Sequence, residues 1–227
     1  MATHGKKHRA VKVQAPTEVL ALDKAIEFLK AHPVAKFDET VELAMRMGLD
    51  PKKSEHAVRG TVELPHGSGR QVRVLVFATG AAADAARAAG ADFVGYDDMI
   101  EKCKEGWTGF DVAVATTDAM KEVRKLGRVL GPRGLMPNPK TGTVTDDTAG
   151  AVKASKAGRV EFRVDRTGNI NVPVGKLSFD GRKLVENAEA VINAVRGEKP
   201  AGLKGAYFRK CVVSSTMGIG LKVDVRD

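Results

Sequence analysis

The spacing of apolar residues along this chain changes period several times. Leu22, Ile26 and Leu29 repeat at i, i+4 and i+7 behind Thr17-Glu18, and the run stops at His32-Pro33. That spacing predicts a helix. The period then drops to two. In the stretch 37–45 the apolar set is Val41, Leu43 and Met45, with Thr40 and Glu42 on the other face. This is the pattern of a half-buried strand, closed by Gly48-Leu49-Asp50-Pro51. A second strand is expected over 58–64, ended by Pro65-His66-Gly67-Ser68-Gly69.

The middle of the chain is more regular. Val72, Val74 and Val76 alternate in a strand, and an Ala-rich helix over 81–89 stops at Gly90. A short strand is expected over 92–95, a helix over 97–104, a strand over 111–115 and a helix over 120–130. After a Gly/Pro loop, Asp146-Asp147 opens a last helix that runs to Ala157. Strands alternating with helices of this length indicate βαβ units and a mostly parallel sheet.

The last third changes again. Strands over 160–164 and 170–174 flank Asp165-Arg166-Thr167-Gly168-Asn169, which suggests a hairpin with Gly where positive φ is needed. Leu184, Ala188, Val191, Ile192 and Val195 line one face of a helix. Strands over 207–213 and 221–225 bracket a second hairpin turn. Neither chain end alone has enough strands for a stable sheet. The expected class is therefore α/β. Residues 1–66 and 159–227 would form a discontinuous α+β domain built from both chain ends, and 67–158 an inserted Rossmann-like βαβ domain.

Composition narrows the class. The chain has 227 residues, 43% hydrophobic and 29% charged, enough apolar mass to offset ordering entropy. Two Cys without CxxC spacing exclude a disulfide scaffold, and the five His show no zinc-ligand spacing. No apolar run approaches the ~20 residues that span a bilayer. The basic start, with His4 and His8 among Lys and Arg, has no apolar stretch behind it and suggests a solvated tail rather than a secretory signal.

Charge adds a direction. The formal net charge is +9. Residues 1–66 hold 11 basic and 9 acidic side chains, 67–158 hold 13 and 11, and 159–227 hold 13 and 8. The end-built domain thus carries +7 of the excess and is the better candidate for a polyanionic partner.

Candidate chemistry is sparse. Lys140-Thr141 follows Pro139 rather than Gly, so the Gly127–Gly142 loop is not a phosphate loop, and its X-Pro bonds remove N–H donors. No GxGxxG follows the strand at Val76, and no GxSxG or HExxH occurs. Asp97-Asp98 and Asp146-Asp147 are explained as helix-start residues. A nucleotide-binding enzyme built on the insert is the disfavoured alternative. Lys36-Phe37 precedes a strand whose outer face carries Thr40 and Glu42. Phe37 reads by default as a core aromatic, and alternatively as an exposed ring that packs on ribose or a base. Arg163-Val164-Asp165-Arg166-Thr167 and Ser214-Ser215-Thr216-Met217-Gly218 place cations and hydroxyls at turns, as contacts to phosphate and 2′-OH groups require.

These segments, together with Arg59–Gly67 and the loop through Gly131-Pro132-Arg133-Gly134-Leu135-Met136-Pro137-Asn138-Pro139-Lys140, resemble the L-one family of bacterial ribosomal proteins, which form the mobile stalk of the large subunit. The resemblance covers nearly the whole chain in order. It implies a cytoplasmic, non-catalytic protein without cofactor or metal, monomeric when free, that binds large-subunit ribosomal RNA. It further implies help in releasing exit-site transfer RNA and repression of its own messenger. The family's RNA-contact motif maps onto Lys36, Phe37, Thr40, Glu42, Arg163, Asp165, Arg166, Thr167, Ser215, Thr216, Met217 and Gly218. Arg128, Arg133 and Lys140 are expected to make a secondary RNA or interdomain contact. Ile219 stands where members commonly have Pro, and Asn171 where a His is frequent.

Overall fold

The computed structural model describes residues 5–50, 56–200, 202, 203 and 205–225. The chain divides into two compact units, Met1–Gly69 with Val160–Asp227, and Arg70–Arg159. The architecture is mixed α/β, as the pattern predicts.

The first unit is a sheet with helices on one face. Strand β1 (Thr40–Met47) pairs antiparallel with β7 (Asn169–Lys176) and with β8 (Phe208–Ser215), and β9 (Leu221–Val223) pairs antiparallel with β8. The order is β7-β1-β8-β9. The predicted alternation holds: Val41, Leu43, Met45 and Met47 point inward and are buried. Helices α2 (Leu22–Ala31) and α8 (Gly181–Gly197) cover that inner face. They contribute Ala25, Ile26 and Leu29, and Leu184, Ala188, Val191 and Val195, to one core. Burying each large aliphatic side chain stabilises by about 1.5–3 kcal/mol. Asn187 of α8 is fully buried and satisfied; its amide donates to Val174 O and Gly67 O, and its Oδ1 accepts from His66 N. It ties the helix both to the edge strand β7 and to the segment just before the chain leaves this unit.

The second unit is a three-stranded parallel sheet, order β4-β3-β5, of β3 (Val74–Phe77), β4 (Phe93–Gly95) and β5 (Val112–Ala115). Leu75 and Phe77 pack on one side with Ile100 and Cys103 of α4 (Asp97–Lys104) and with Val123, Leu126 and Leu130. Val74 and Val76 pack on the other side with Ala83 and Ala86 of α3 (Ala81–Ala88) and Ala151 and Val152 of α7 (Thr148–Ala157). Asp147 caps α7 by accepting from Gly150 N at 2.9 Å.

Four expectations need correction. The strand expected to alternate at Val72, Val74 and Val76 is β3 at Val74–Phe77, which excludes Val72 and does not alternate; every residue of it is buried, because helices cover both faces of a central parallel strand. The helix expected over 120–130 is broken. α5 (Met120–Val123) and α6 (Gly127–Leu130) are joined by a 3-10 turn at Arg124–Leu126. The basic tail is not all irregular: Lys6–Gln14 forms helix α1 with no buried residue, while His4 lies outside the described residues. The strands flanking Asp165–Asn169 do not pair as a hairpin. β6 (Arg159–Arg163) pairs with β2 (Arg59–Glu63) in a separate two-stranded sheet, and β7 joins β1. The inner phase of β1 supplies the stronger partner: Leu43 and Met45 lie opposite Val172 and Ile170. Both cysteines are buried and free, and burial pushes the Cys211 thiol up to about 12.

Candidate nucleic-acid interface

The outer face of the four-stranded sheet is polar and cationic. Alternation on β1 turns Thr40, Glu42, Ala44 and Arg46 outward. Cross-strand register then builds rows. Glu42 lies opposite Pro173 and Ser214, Ala44 opposite Asn171 and Val212, and Arg46 opposite Asn169 and Lys210. Lys222 of β9 extends the Ala44 row through Val212. Glu42, Arg46, Asn171, Lys210 and Lys222 are exposed. Asn171, where the resemblance led to an expected His, thus still faces outward on this surface.

At the Thr40 end two loops meet. Thr216 Oγ1 accepts from Thr40 N at 3.0 Å and donates to Thr40 O at 3.3 Å. Lys176 Nζ donates to Thr40 Oγ1 at 2.9 Å. Asp38 accepts from Ser178 N and Ser178 Oγ, which fixes the backbone around Phe37. The Phe37 ring is 58% exposed and Met217 is 54% exposed. For Phe37 this overturns the default expectation of a core aromatic and supports the exposed alternative. Lys36 is exposed beside it. A cleft of about 510 Å³ runs between residues 5–8, Val34 and the Thr216–Gly218 turn, so Lys6 and Lys7 border Met217.

Glu39 holds this end together, and sequence reasoning passed over it. It is fully buried. Oε1 accepts from Val34 N at 3.0 Å and Ala35 N at 2.6 Å, and Oε2 accepts from Met217 N at 3.1 Å. Burial pushes its carboxyl up, but hydrogen bonds from the Ser215 hydroxyl and from the N–H groups of Ala35, Met217 and Val34 outweigh that and hold it below the usual carboxylate range. The signal was present in the pattern: Glu39 has the inward phase of Val41 and Leu43. Ser215 likewise has the inward phase of Val213 and is buried.

The Asp165 turn is at the other end of β1, where Met47 N donates to Gly168 O at 2.9 Å. At ~3.3 Å per strand residue, Thr40 and Arg46 are ~20 Å apart. Asp165 Oδ1 accepts from the N–H groups of Thr167 and Asn169, both at 2.8 Å, and the Thr167 hydroxyl donates to the same carboxylate. Burial raises the Asp165 pKa, but these bonds outweigh it and hold it below its ordinary value. Gly168 turns the chain at φ +82°. Asp165 and Thr167 therefore shape the turn, while Arg163 and Arg166 extend into solvent.

The expected site residues thus form two groups. Lys36, Phe37, Thr40, Ser215, Thr216, Met217 and Gly218 share one end, with Glu42 one outward position further along β1. Arg163, Asp165, Arg166 and Thr167 are gathered at the far end. A Cβ on Gly218 would meet Ser215 Oγ at 2.2 Å, so a larger residue there has to displace the Ser215 hydroxyl. Ile219 is buried in the core, where it adds apolar contact in place of the expected Pro.

In the second unit, Arg128, Arg133 and Lys140 are exposed. Arg128 lies on α6, and the loop that follows with Arg133 and Lys140 is built on Asn138, whose side chain accepts from Lys140 N at 2.9 Å and whose carbonyl accepts from Thr141 and Thr143 hydroxyls. Arg133 donates to the Thr108 hydroxyl. Asp146, instead of capping, accepts from Thr117 N and Thr117 Oγ1. Among the described residues no group of three His, Cys, Asp or Glu could hold a metal ion.

Residues 29–219 match the model of the Ribosomal protein L1p/L10e family. The chain is similar to Large ribosomal subunit protein uL1 of Kosmotoga olearia, 55% identical over 208 residues that cover 92% of this chain and 90% of that protein. A chain matched over that length, and more than half identical to such a relative, belongs to the Ribosomal protein L1p/L10e family.

Proposed function

We propose that this chain is a non-catalytic protein of the large ribosomal subunit that binds ribosomal RNA with the outer face and the Phe37–Met217 end of its four-stranded sheet. The observation that carries the reading is the placement of two large exposed apolar side chains, Phe37 and Met217, beside Lys36, Lys6 and Lys7. An aromatic ring among cations suits stacking on an unpaired base, and a thioether suits packing on ribose. Arg46, Lys176, Lys210 and Lys222 supply phosphate neutralisation. Glu42 accepts from 2′-OH groups or guanine edges, which cations alone cannot read.

The finer parts of the reading rest on the family. The protein sits in the stalk of a cytoplasmic ribosome, assists release of exit-site transfer RNA, and represses its own messenger by offering the same surface to a similar RNA fold. Arg128, Arg133 and Lys140 are the insert's candidates for transfer RNA. The two compact units are the end-built and inserted domains, and the free protein is a monomer. Among the described residues no helix is long and apolar enough to cross a membrane.

The test is binding of a large-subunit ribosomal RNA stalk fragment across a salt series. Wild type should show a steep fall of log K with log salt. Met217→Asp should bind at least ~100-fold more weakly, because it forces an unpaired carboxylate against phosphates. Equal binding by both proteins would remove the proposed site. Messenger leader should compete with ribosomal RNA; simultaneous binding would end the repressor reading.

A further inference from the structure

We infer that Glu39 is a positioning residue of this interface: its buried carboxylate locks the Lys36–Phe37 loop and the Thr216–Gly218 turn into one binding arrangement. This rests on the RNA-binding reading above.

Glu39 is fully buried and cannot touch a ligand. Its two oxygens instead face two segments far apart in sequence. Oε1 takes Val34 N and Ala35 N, immediately before Lys36-Phe37, and Oε2 takes Met217 N at the centre of the turn. The Ser215 hydroxyl adds a further bond. Every partner is a donor, so the site demands acceptors on both oxygens. Gln would present N–H to N–H on one side, and Asp lacks a methylene of reach. The Thr216 hydroxyl is a second staple, but it secures only the Thr40 strand end. Nothing else among the hydrogen bonds of the described residues joins the backbone of 34–35 to the turn. Lys36, Phe37 and Met217 all lie within two residues of a Glu39 partner. The ordering entropy of these two loops is thereby met before RNA arrives, which is how preorganisation raises affinity without a contact.

The experiment is a double-mutant cycle in the full chain, with the ribosomal RNA stalk fragment as ligand. Glu39→Gln should bind about tenfold or more weakly at a temperature where its melt remains cooperative and complete folding is retained. Met217→Ala should then cost clearly less in the Glu39→Gln background than in wild type, because the turn is already displaced. The Met217 amide proton should also lose hydrogen-exchange protection. Additive effects, or Glu39→Gln within twofold of wild type, overturn the inference and leave the RNA reading standing. Wild type that fails to bind overturns both. Should Glu39→Gln fail to fold, Ser215→Ala decides, since it deletes one donor and no charge: an affinity loss of about threefold supports the inference, and unchanged affinity sinks it.

Discussion

The two main sheets of this molecule are built from similar side chains and end in opposite states. In the parallel sheet of residues 70–159, helices cover both faces, and all four residues of Val74–Phe77 are buried. In the antiparallel sheet, helices α2 and α8 cover one face only, so β1 alternates Val41, Leu43, Met45 inward with Thr40, Glu42, Arg46 outward. The lesson concerns where a large partner can act. A sheet covered on both faces offers a partner only the loops and helices around it, here Arg128 on α6 and Arg133 and Lys140 in the loop beyond it. A half-covered sheet offers a surface in register, with every second side chain placed by the core beneath it.

The comparison can be broken most decisively in the covered sheet. Val76→Asp places an unpaired carboxylate at a fully buried position, which should destabilise residues 70–159 by on the order of 4 kcal/mol or more. Hydrogen exchange should show that unit opening while affinity for ribosomal RNA stays within about threefold, as the sheet face predicts. Loss of RNA binding along with the insert would show that the face does not act by itself.

A smaller effect separates stacking from charge on the open sheet. Phe37→Ala should weaken RNA binding by about 1–3 kcal/mol and leave the salt slope as in wild type. Lys222→Gln should weaken it less and reduce the slope by roughly 0.9, the signature of one phosphate contact. Matching slopes for the two variants would erase the distinction drawn between them.

The smallest effect belongs to the far end of β1. Asp165→Ala removes the acceptor of the Thr167 and Asn169 N–H groups and should cost about 1 kcal/mol of stability, with little change in RNA affinity at neutral pH. The sign of its pH dependence follows from the lowered pKa. The stabilisation is complete above the ordinary aspartate value of 3.8 and is lost as pH falls through the lower folded value. Denaturant midpoints between pH 6 and pH 2 should therefore fall less steeply in the variant. A steeper fall contradicts the assignment of Asp165 to turn formation.

Much of this was legible in the sequence. The period of two at Val41–Met45 fixed the phase of β1, and with it the outward Thr40 and Glu42. The i, i+4, i+7 spacing at Leu22–Leu29 found α2. Long-range pairing was not legible: Val160–Val164 and Ile170–Val174 look like one hairpin because a good turn lies between them. Only the competition for β1 and β2 sends them into separate sheets. α1 was missed because its residues carry no apolar stripe. Glu39 was missed for a different reason: its inward phase was readable, but the four groups that donate to its carboxylate come from the segments at 34–35 and 215–217.

The margins of the open sheet have a consequence of their own. β7 is an outer strand, and Pro173 within it lacks an N–H to offer a neighbour, while the Val174 carbonyl is already taken by Asn187. The register of β7 also slips between Val41 and Glu42, which bends the strand. On the opposite margin β9 is three residues long, and Leu20 bonds to Lys222 O and Asp224 N along its free side. Neither border can template strand addition by another chain. A chain with a formal net charge of +9 is thereby guarded against fibrous self-association through these strand edges, although the broad face of the same sheet remains uncovered.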